Sequence, residues 1–593
     1  MTDNIPNAVP NKFTWKQAFA LIKDYFVNSN EKLVAWLLLL GTALCVISLV
    51  ALMAVFAWWS AGFWAVLTAK ALTPFLISMA QFALIVSAYV AAYALQNFFI
   101  GKLAIRWRNW LTEQIINKLF NGENNYLDLK RFSAEIDNIS QRIQEDVKNF
   151  VDLTLNLGAD FFKSVLSLGT FIGTLWVVGG PLAIAVLGLN IVIPGYLVWT
   201  ALLISLTATT ITHFIAKSLA EKNQTGVRAE ANLRQELELL NNDAENIAEE
   251  HAEDYYKKTL KAKIQQINEN AQQQLNTKSK LGVFQDFYMQ ISGILPQVLS
   301  APLYFAGLIE IGQLMQISMA FGEVNSSLSW FVQSYEGLTL YKTSIERITA
   351  LQQAFETKGL AANPKSILRQ ETNKDTLKIK NLSIMKPQAS STQYIMSKLN
   401  LKLIPGEHML IKAPSGLGKS TLFKAISGTW KYGNGEIRVP TGKQMYFLPQ
   451  HPTLPHDTLM AVLAYPQSVD SYTKEQYAAA LKAVGGMDEF IAQLAEKRVW
   501  AKELSGGQQQ RISFARALLK KPNWLFLDEA TASLDEESED HVYTLITKLK
   551  DTTIVSIAHR STVEKYHSRV VFFSANAEKE IIVTEKSGPA YEV

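Results

Sequence analysis

The sequence predicts an α-helical membrane domain of six spanning helices, followed by an α/β domain built on a phosphate-binding loop. Three observations predict it. Six apolar stretches, each near the roughly 20 residues needed to cross a bilayer, lie before residue 340. After about residue 345 such runs stop, and short apolar strand patterns bounded by turn residues take their place. One of those strands, 408–412, runs directly into Ala413-Pro-Ser-Gly-Leu-Gly-Lys-Ser-Thr421, a loop of the phosphate-binding type. The 593 residues are 48% hydrophobic and 19% charged, averages that conceal how unevenly the apolar residues are spread. The one cysteine, Cys45, excludes an intramolecular disulfide and a cysteine-based metal site. A net charge of +4 is too mild to argue for nucleic acid, which is not expected as a partner.

Residues 1–32 form a polar N-terminal segment with Lys12, Lys16, Lys23 and Lys32, and they lack the short apolar core of a removed signal peptide. From Phe13 to Phe26 the apolar residues recur at helical spacing. Two readings fit: an amphipathic helix lying on the membrane surface and an ordinary cytoplasmic helix. The transmembrane domain is expected over 33–345, with spans at about 33–58, 74–100, 161–181, 191–215, 283–306 and 311–336. A soluble helical core is excluded by runs such as 33–58, which carry no charge at all. Pro194, Gly195, Pro296 and Pro302 fall inside spans, where neighbouring helices can satisfy the freed backbone groups.

Lysine and arginine orient the spans. The segments 1–32, 101–160 and 216–281 hold 4, 8 and 10 basic residues, and the alternate connections 59–73, 182–190 and 307–310 hold only Lys70. Basic loops stay in the cytoplasm. Both termini are therefore expected inside, with two charged, helix-favouring cytoplasmic extensions at 101–160 and 216–281. Within the membrane, Glu323 is the notable ionisable residue, with Gln316, Asn325 and Ser326 near it. A carboxylate at such depth faces either a helix partner or a wet cavity, so Glu323 is the candidate on the substrate path.

A linker is expected at 346–376 and a nucleotide-binding domain at 377–593. Strands are expected at 377–384, 399–404, 408–412, 444–448, 524–528 and 553–557. The loop after 408–412 supplies the first group of candidates. Pro414, Ser415, Gly416, Leu417 and Gly418 turn backbone N–H groups toward phosphate oxygens, Lys419 brings a charge to the β and γ phosphates, and the Ser420 hydroxyl, followed by Thr421, can ligate Mg²⁺. The strand 524–528 ends in two carboxylates: Asp528 to hold Mg²⁺ through water, and Glu529 to polarise the attacking water as general base. Ser505, Gly506, Gly507 and Gln508 open a helix and offer a second anion site. Gln450 follows strand 444–448, Asp535 lies just past the carboxylate pair, and His559 follows strand 553–557, placed to reach a γ-phosphate.

In order and spacing these elements resemble the ATPases of ABC transporters, over about residues 377–575. The resemblance implies ATP and Mg²⁺ as cofactors and a head-to-tail homodimer. Each ATP would lie between the phosphate loop of one copy and the Leu504–Gln508 segment of the other, with Asp535 part of the nucleotide site. Lys419, Gln450, Ser505, Asp528, Glu529 and His559 each have a match, so Glu529, His559 and Gln450 are expected in catalysis, and Ser420, Gln450 and Asp528 at the metal. Ala413 stands where the pattern usually has glycine. The aromatic residue that usually stacks on adenine is missing near Lys386 and Pro387; Tyr394 could substitute or be structural.

The membrane half sharpens the resemblance. Arg106-Trp-Arg-Asn-Trp-Leu-Thr112, the segment 136–146, Ile193-Pro-Gly-Tyr-Leu-Val-Trp199 and Ser329-Trp-Phe331 are similar to SbmA/BacA-type permeases and to subfamily D transporters. Trp500 and Gly428-Thr-Trp430 agree with subfamily D. The subfamily's signature on the second extension reads Glu245-Asn-Ile247-Ala248-Glu-Glu-His-Ala-Glu253 here, with Glu249-Glu250 replacing an aromatic pair. What is implied is an exporter-like (type IV) architecture and a homodimeric half-transporter in a bacterial inner membrane. The implied cargo is a small hydrophilic solute such as cobalamin or a peptide, taken up from outside. The rivals are an exporter of lipids or hydrophobic compounds and an ATP-gated conduit or regulatory membrane ATPase.

Overall fold

The computed structural model describes residues 14–120, 126–127, 129, 139–186, 189–357, 366–386, 394–576 and 580–587. The chain divides into two compact units, one of Ala8–Lys118 with Ile136–Gln353, the other built on Ala354–Val593.

The first unit is helical. Its helices are α1 (Trp15–Lys23), α2 (Lys32–Thr68), α3 (Leu72–Phe120), α4 (Val147–Val178), α5 (Tyr196–Asn242), α6 (Glu253–Phe305), α7 (Ile311–Leu328) and α8 (Tyr335–Thr357). Helix α1 buries Ala18 and Leu21 and turns Trp15 and Phe19 outward, 67% and 66% exposed. Its exposed side thus mixes these two aromatic rings with Lys16 and Lys23. After it, Tyr25 stacks on Trp107 at 5.3 Å and Phe26 meets the same ring edge-on. A second core gathers Phe171 and Leu175 of α4, Tyr196, Leu197 and Ala201 of α5, and Ile317, Ala320, Phe321 and Val324 of α7.

Among the described residues, three stretches, Lys32–Thr68, Leu72–Phe120 and Ile139–Val178, are helical, long and apolar enough to cross a membrane; Tyr196–Thr212 is a shorter apolar stretch. The expected fifth and sixth spans fall on α6 and α7, where Asp286 and Gln290, then Gln313, Gln316, Glu323 and Asn325, dilute the apolar run. The sixth is also not one helix. It breaks after Leu328, re-forms over Trp330–Gln333 and restarts at Tyr335. The fourth span, expected from residue 191, begins at Tyr196 instead. Residues Leu189–Pro194 form a strand (β2) paired antiparallel with Pro181–Val186 (β1). Hydropathy cannot separate a short apolar strand from a helix end. The β-branched run Ile191-Val-Ile193 ahead of Pro194 and Gly195 is what favours the strand. The two long extensions continue helices α3 and α5, as expected. The second breaks at Asp243, passes through the short helix Ala244–Glu249, and returns along α6, with Lys222 donating to Thr277 at 2.7 Å and Lys263 paired with Glu236 at 3.1 Å.

The second unit is α/β. Its strands are β3 (Leu368–Thr372), β4 (Leu377–Met385), β5 (Tyr394–Leu403), β6 (Met409–Lys412), β7 (Gly433–Pro440), β8 (Met445–Leu448), β9 (Trp524–Asp528), β10 (Thr553–Ile557), β11 (Arg569–Ala575) and β12 (Ile581–Ser587). A six-stranded sheet runs in the order β12-β11-β6-β10-β9-β8, parallel except for its antiparallel edge β12. A four-stranded sheet, β3-β7-β4-β5, packs with the phosphate-loop helix α9 (Lys419–Ile426) around Leu382, Met396, Phe423 and Phe526. Helices α10 (Leu459–Ala464), α11 (Lys474–Val484), α12 (Gly506–Lys520) and α13 (Glu536–Thr547) contribute to a second core with Trp500 and Leu525. The strands β6, β9 and β10 are adjacent and parallel, so their carboxyl ends bring the phosphate loop, the carboxylate pair and His559 to one edge. That is where open parallel sheets place their ligands. The stretch 346–376 holds the end of α8 and strand β3, with 358–365 outside the described residues.

Candidate active site

The site begins where β6 ends. The loop 413–418 turns back over its own strand, and the buried Lys419 amine donates to the Ala413 carbonyl at 2.8 Å. Gly418, at φ +86°, takes the left-handed turn that starts α9; a Cβ there would lie 2.5 Å from Ile395 Cγ2. The Ser420 hydroxyl donates to Asp528 Oδ1 at 3.0 Å, across from β6 to β9. Burial pushes the Lys419 amine below the ordinary lysine value, while Glu529 and Asp528 pull it back up. Burial likewise lifts the Asp528 carboxyl, the Ser420 hydrogen bond opposes that, and Glu529 adds to it. A half-desolvated carboxylate beside a hydroxyl is a hard-oxygen donor pair suited to Mg²⁺.

Glu529 sits at φ +50°, a left-handed conformation for a non-glycine residue, and its N–H donates to the Ile557 carbonyl at 3.0 Å. Strain of this kind persists where the surroundings over-determine it, and it gathers at functional sites. His559 Nε2 lies 3.1 Å from Glu529 Oε1 and 3.0 Å from Lys419 Nζ. One nitrogen cannot serve both. Carrying a hydrogen, it donates to Glu529; bare, it accepts from Lys419, so the ring's tautomer sets which partner it takes.

Ser505 caps α12, accepting from Gln508 N at 3.3 Å while Gln508 Oε1 accepts from Ser505 N at 2.9 Å. Gly506 and Gly507 form the first turn. Among the described residues the side-chain hydrogen bonds of Ser505 and Gln508 are to each other's backbone N–H, and the Ser505 carbonyl accepts from Gln509 N at 2.9 Å. Asp535 likewise caps α13, accepting from Ser538 N at 2.7 Å, and the Ser538 hydroxyl together with that N–H holds its carboxyl below the ordinary range. Gln450 lies on the exposed loop after β8; its carbonyl accepts from Gln510 Nε2 at 3.2 Å, and Gln510 Oε1 accepts from Ser533 N at 3.0 Å. The Gln450 side chain makes no hydrogen bond among the described residues. Lys386 is exposed, 387–393 lie outside the described residues, and Tyr394 opens β5 opposite Met385.

Sequence reasoning missed a second group. Glu539, 2% exposed, accepts from Thr531 at 2.6 Å and Thr562 at 2.7 Å, and pairs with Arg560 at 3.7 Å. The signal was available: Glu539, Val542, Tyr543 and Ile546 share one buried stripe of α13, so a carboxylate occupies an apolar face. In the first unit Glu323 is half-buried on α7, near enough to Lys163 of α4 to feel its charge. Asn325, on the same helix, accepts from Ser205 of α5 at 2.8 Å and from Tyr288 of α6.

The fold and site define a helical membrane domain joined to a nucleotide-binding ATPase on one chain. Residues 21–305 match the ABC transporter transmembrane region 2 family, and 396–532 match the ABC transporter family. An uncharacterized ABC transporter ATP-binding protein of Haemophilus influenzae is 31% identical over 85% of this chain and 83% of its own length. The inner membrane ABC transporter ATP-binding protein YddA of Escherichia coli is 29% identical over 92% and 94%. ABC transporter D family member 2, chloroplastic, of Arabidopsis thaliana is 25% identical over 81% and 75%. Among solved structures, a bacterial Atm1-family ABC exporter with ATP bound superposes with a TM-score of 0.74, covering 94% of this chain and 96% of that one at 19% identity, and so shares the fold. The chain belongs to the ABC transporter family. It is an ATP-driven half-transporter related to subfamily D, a multi-pass membrane protein whose ATP hydrolysis is coupled to transport.

Proposed function

We propose that two copies form the working transporter, with six spans each and both termini in the cytoplasm of a bacterial inner membrane. In this reading it is of the SbmA/BacA kind and takes up a small hydrophilic solute such as cobalamin or a peptide. The observation that carries the ATPase half is the convergence of Lys419, His559 and Glu529 beside the Ser420–Asp528 pair. Lys419 and the loop N–H groups hold the β and γ phosphates. Ser420 and Asp528, with Gln450, would hold Mg²⁺, which supplies charge to offset the phosphates. Glu529 takes the proton of the attacking water, and His559 reaches the γ-phosphate. The Ser505–Gln508 helix start of the second copy, with the N–H groups of Gly506 and Gly507 at its first turn, closes the site.

The polar groups of the membrane helices, Gln316, Asn325, Ser205, Tyr288 and Glu323, support a hydrophilic cargo over a lipid. The exposed Trp15 and Phe19 of α1, flanked by Lys16 and Lys23, support its lying on the membrane surface. Export of a hydrophobic compound fits the same fold, and an ATP-gated conduit fits the same site. Inside-out vesicles loaded with labelled cobalamin separate them. ATP-driven loss of label in the wild type, absent in Glu529→Gln, supports uptake; ATP-driven retention or gain against the gradient indicates export. Loss with ATP bound but not hydrolysed indicates a conduit. Glu529→Gln is expected to trap ATP and stop turnover, and continued multiple-turnover hydrolysis in that variant removes Glu529 from the role of base.

A further inference from the structure

We propose that Glu539 is a positioning residue for ATP hydrolysis: its carboxylate ties Thr531, two residues after Glu529, to Thr562, three residues after His559. It thereby fixes the separation of the two side chains that meet at 3.1 Å. The proposal rests on the roles given to Glu529 and His559 above.

A carboxylate that is 2% exposed is expensive to bury unless every lone pair is used. Both oxygens of Glu539 are used, and by two different chain segments. Oε1 accepts from the Thr531 hydroxyl at 2.6 Å; Oε2 accepts from the Thr562 hydroxyl at 2.7 Å and lies 3.7 Å from Arg560 Nη1. Arg560, the residue next to His559, also donates to the Leu534 carbonyl at 2.8 Å. The loop after Glu529 and the loop after His559 are thus joined twice on this side of α13, once through Glu539 and once through Arg560. On the sheet side, the Glu529 N–H donates to the Ile557 carbonyl at 3.0 Å, two residues before His559. His559 is about half exposed and Glu529 about a third, so neither is held by packing of its own side chain. Their 3.1 Å approach depends on where the two backbones are anchored, and charge-assisted hydrogen bonds to a buried carboxylate anchor more firmly than neutral ones. A positional error of about 1 Å at reacting groups is enough to cost rate on the order of a hundredfold.

The test compares Thr562→Val, Thr562→Ser, Glu539→Gln and, as reference, His559→Ala in the full-length protein reconstituted in lipid, with Mg-ATP as substrate. Expected is a kcat about tenfold lower in Thr562→Val and Glu539→Gln, in the range of coupling between contacting residues. The KM for ATP is expected within about twofold of wild type, and kcat is expected to return in Thr562→Ser, which restores the hydroxyl. A residue that merely held the fold together would lower the unfolding temperature and leave kcat below that temperature unchanged. Wild-type kcat in Thr562→Val together with a slow His559→Ala overturns the proposal while leaving the role of His559 intact. Wild-type kcat in His559→Ala overturns the underlying reading itself. Should Glu539→Gln fail to fold, the Thr562 pair still decides.

Discussion

Two glycines of the phosphate loop have nearly the same backbone conformation and different surroundings, so alanine at each separates two costs. Gly416 has φ +83° and open space where a Cβ would go; Gly418 has φ +86° and Ile395 Cγ2 at 2.5 Å, with Met396 Cε at 3.4 Å. Gly416→Ala in the nucleotide-free protein should cost only the left-handed penalty, about 1–2 kcal/mol. Gly418→Ala should cost the same penalty plus overpacking of about 1–3 kcal/mol, together about 2–5 kcal/mol. Thermal unfolding of the ATPase unit reads the difference at about 2–4 °C per kcal/mol for a unit of this size. Adding Ile395→Ala to Gly418→Ala should recover the overpacking part, less the cost of the lost side chain, and do nothing for Gly416→Ala. Nucleotide affinity should fall in both single variants, because in the proposed site a phosphate would lie against the loop backbone at Gly416 and Gly418. Equal unfolding shifts in the two single variants, or a loss of ATP affinity confined to Gly418→Ala, would refute the reasoning.

Three further outcomes follow from the same structure. Lys419 is held below its ordinary pKa by burial, so its charged form favours the unfolded chain, and this destabilisation lifts as pH rises from the folded value toward 10.5. Lys419→Met should therefore abolish ATP binding yet raise the unfolding temperature of the nucleotide-free protein at pH 7; a lower unfolding temperature contradicts this. His567, buried with Nδ1 at 2.8 Å from the Val563 carbonyl and Nε2 at 2.8 Å from Ser556, is pushed down to about 4. Between about 6.5 and 4 the unfolded chain takes the proton first, so roughly 3 kcal/mol of stability is lost as pH falls through that window. His567→Gln should flatten the acid limb of an unfolding-versus-pH curve. Asn325→Leu removes the acceptor shared by Ser205 and Tyr288; it should destabilise the membrane unit by about 0.6–2 kcal/mol, visible in a micelle unfolding assay, and leave ATPase activity in place.

The ATPase half was the more legible, for a physical reason. A phosphate loop must pass from strand to loop to helix with its cation and hydroxyl at fixed offsets, and the Asp528–Glu529 and His559 segments must end parallel strands beside it. Those requirements leave marks in sequence order, and the strands expected at 377–384, 408–412, 444–448, 524–528 and 553–557 form within a residue or so of those limits. The membrane half is read from hydropathy, which measures solvent and not geometry. It found the long apolar helices, and it could not distinguish strand Leu189–Pro194 from the start of a span, or the break after Leu328 from a continuous helix.

What the sequence concealed most was partnership. Ser505 and Asp535 read as ligands of nucleotide, and in the single chain both are occupied as helix caps, Ser505 for α12 and Asp535 for α13. The two roles are compatible for Ser505, because its capping hydroxyl takes up the Gln508 N–H and leaves those of Gly506 and Gly507 at the helix start, where a phosphate can accept them. They compete for Asp535, whose carboxylate already accepts from Ser538, the serine that also receives Arg511 Nη2 at 2.6 Å from the helix carrying the glycines. Glu539, in the first turn of α13, belongs to no motif, and only its helical spacing from Val542, Tyr543 and Ile546 on the apolar stripe sets it apart. The first turn of that helix therefore joins three segments, those of Arg511, Thr531 and Thr562.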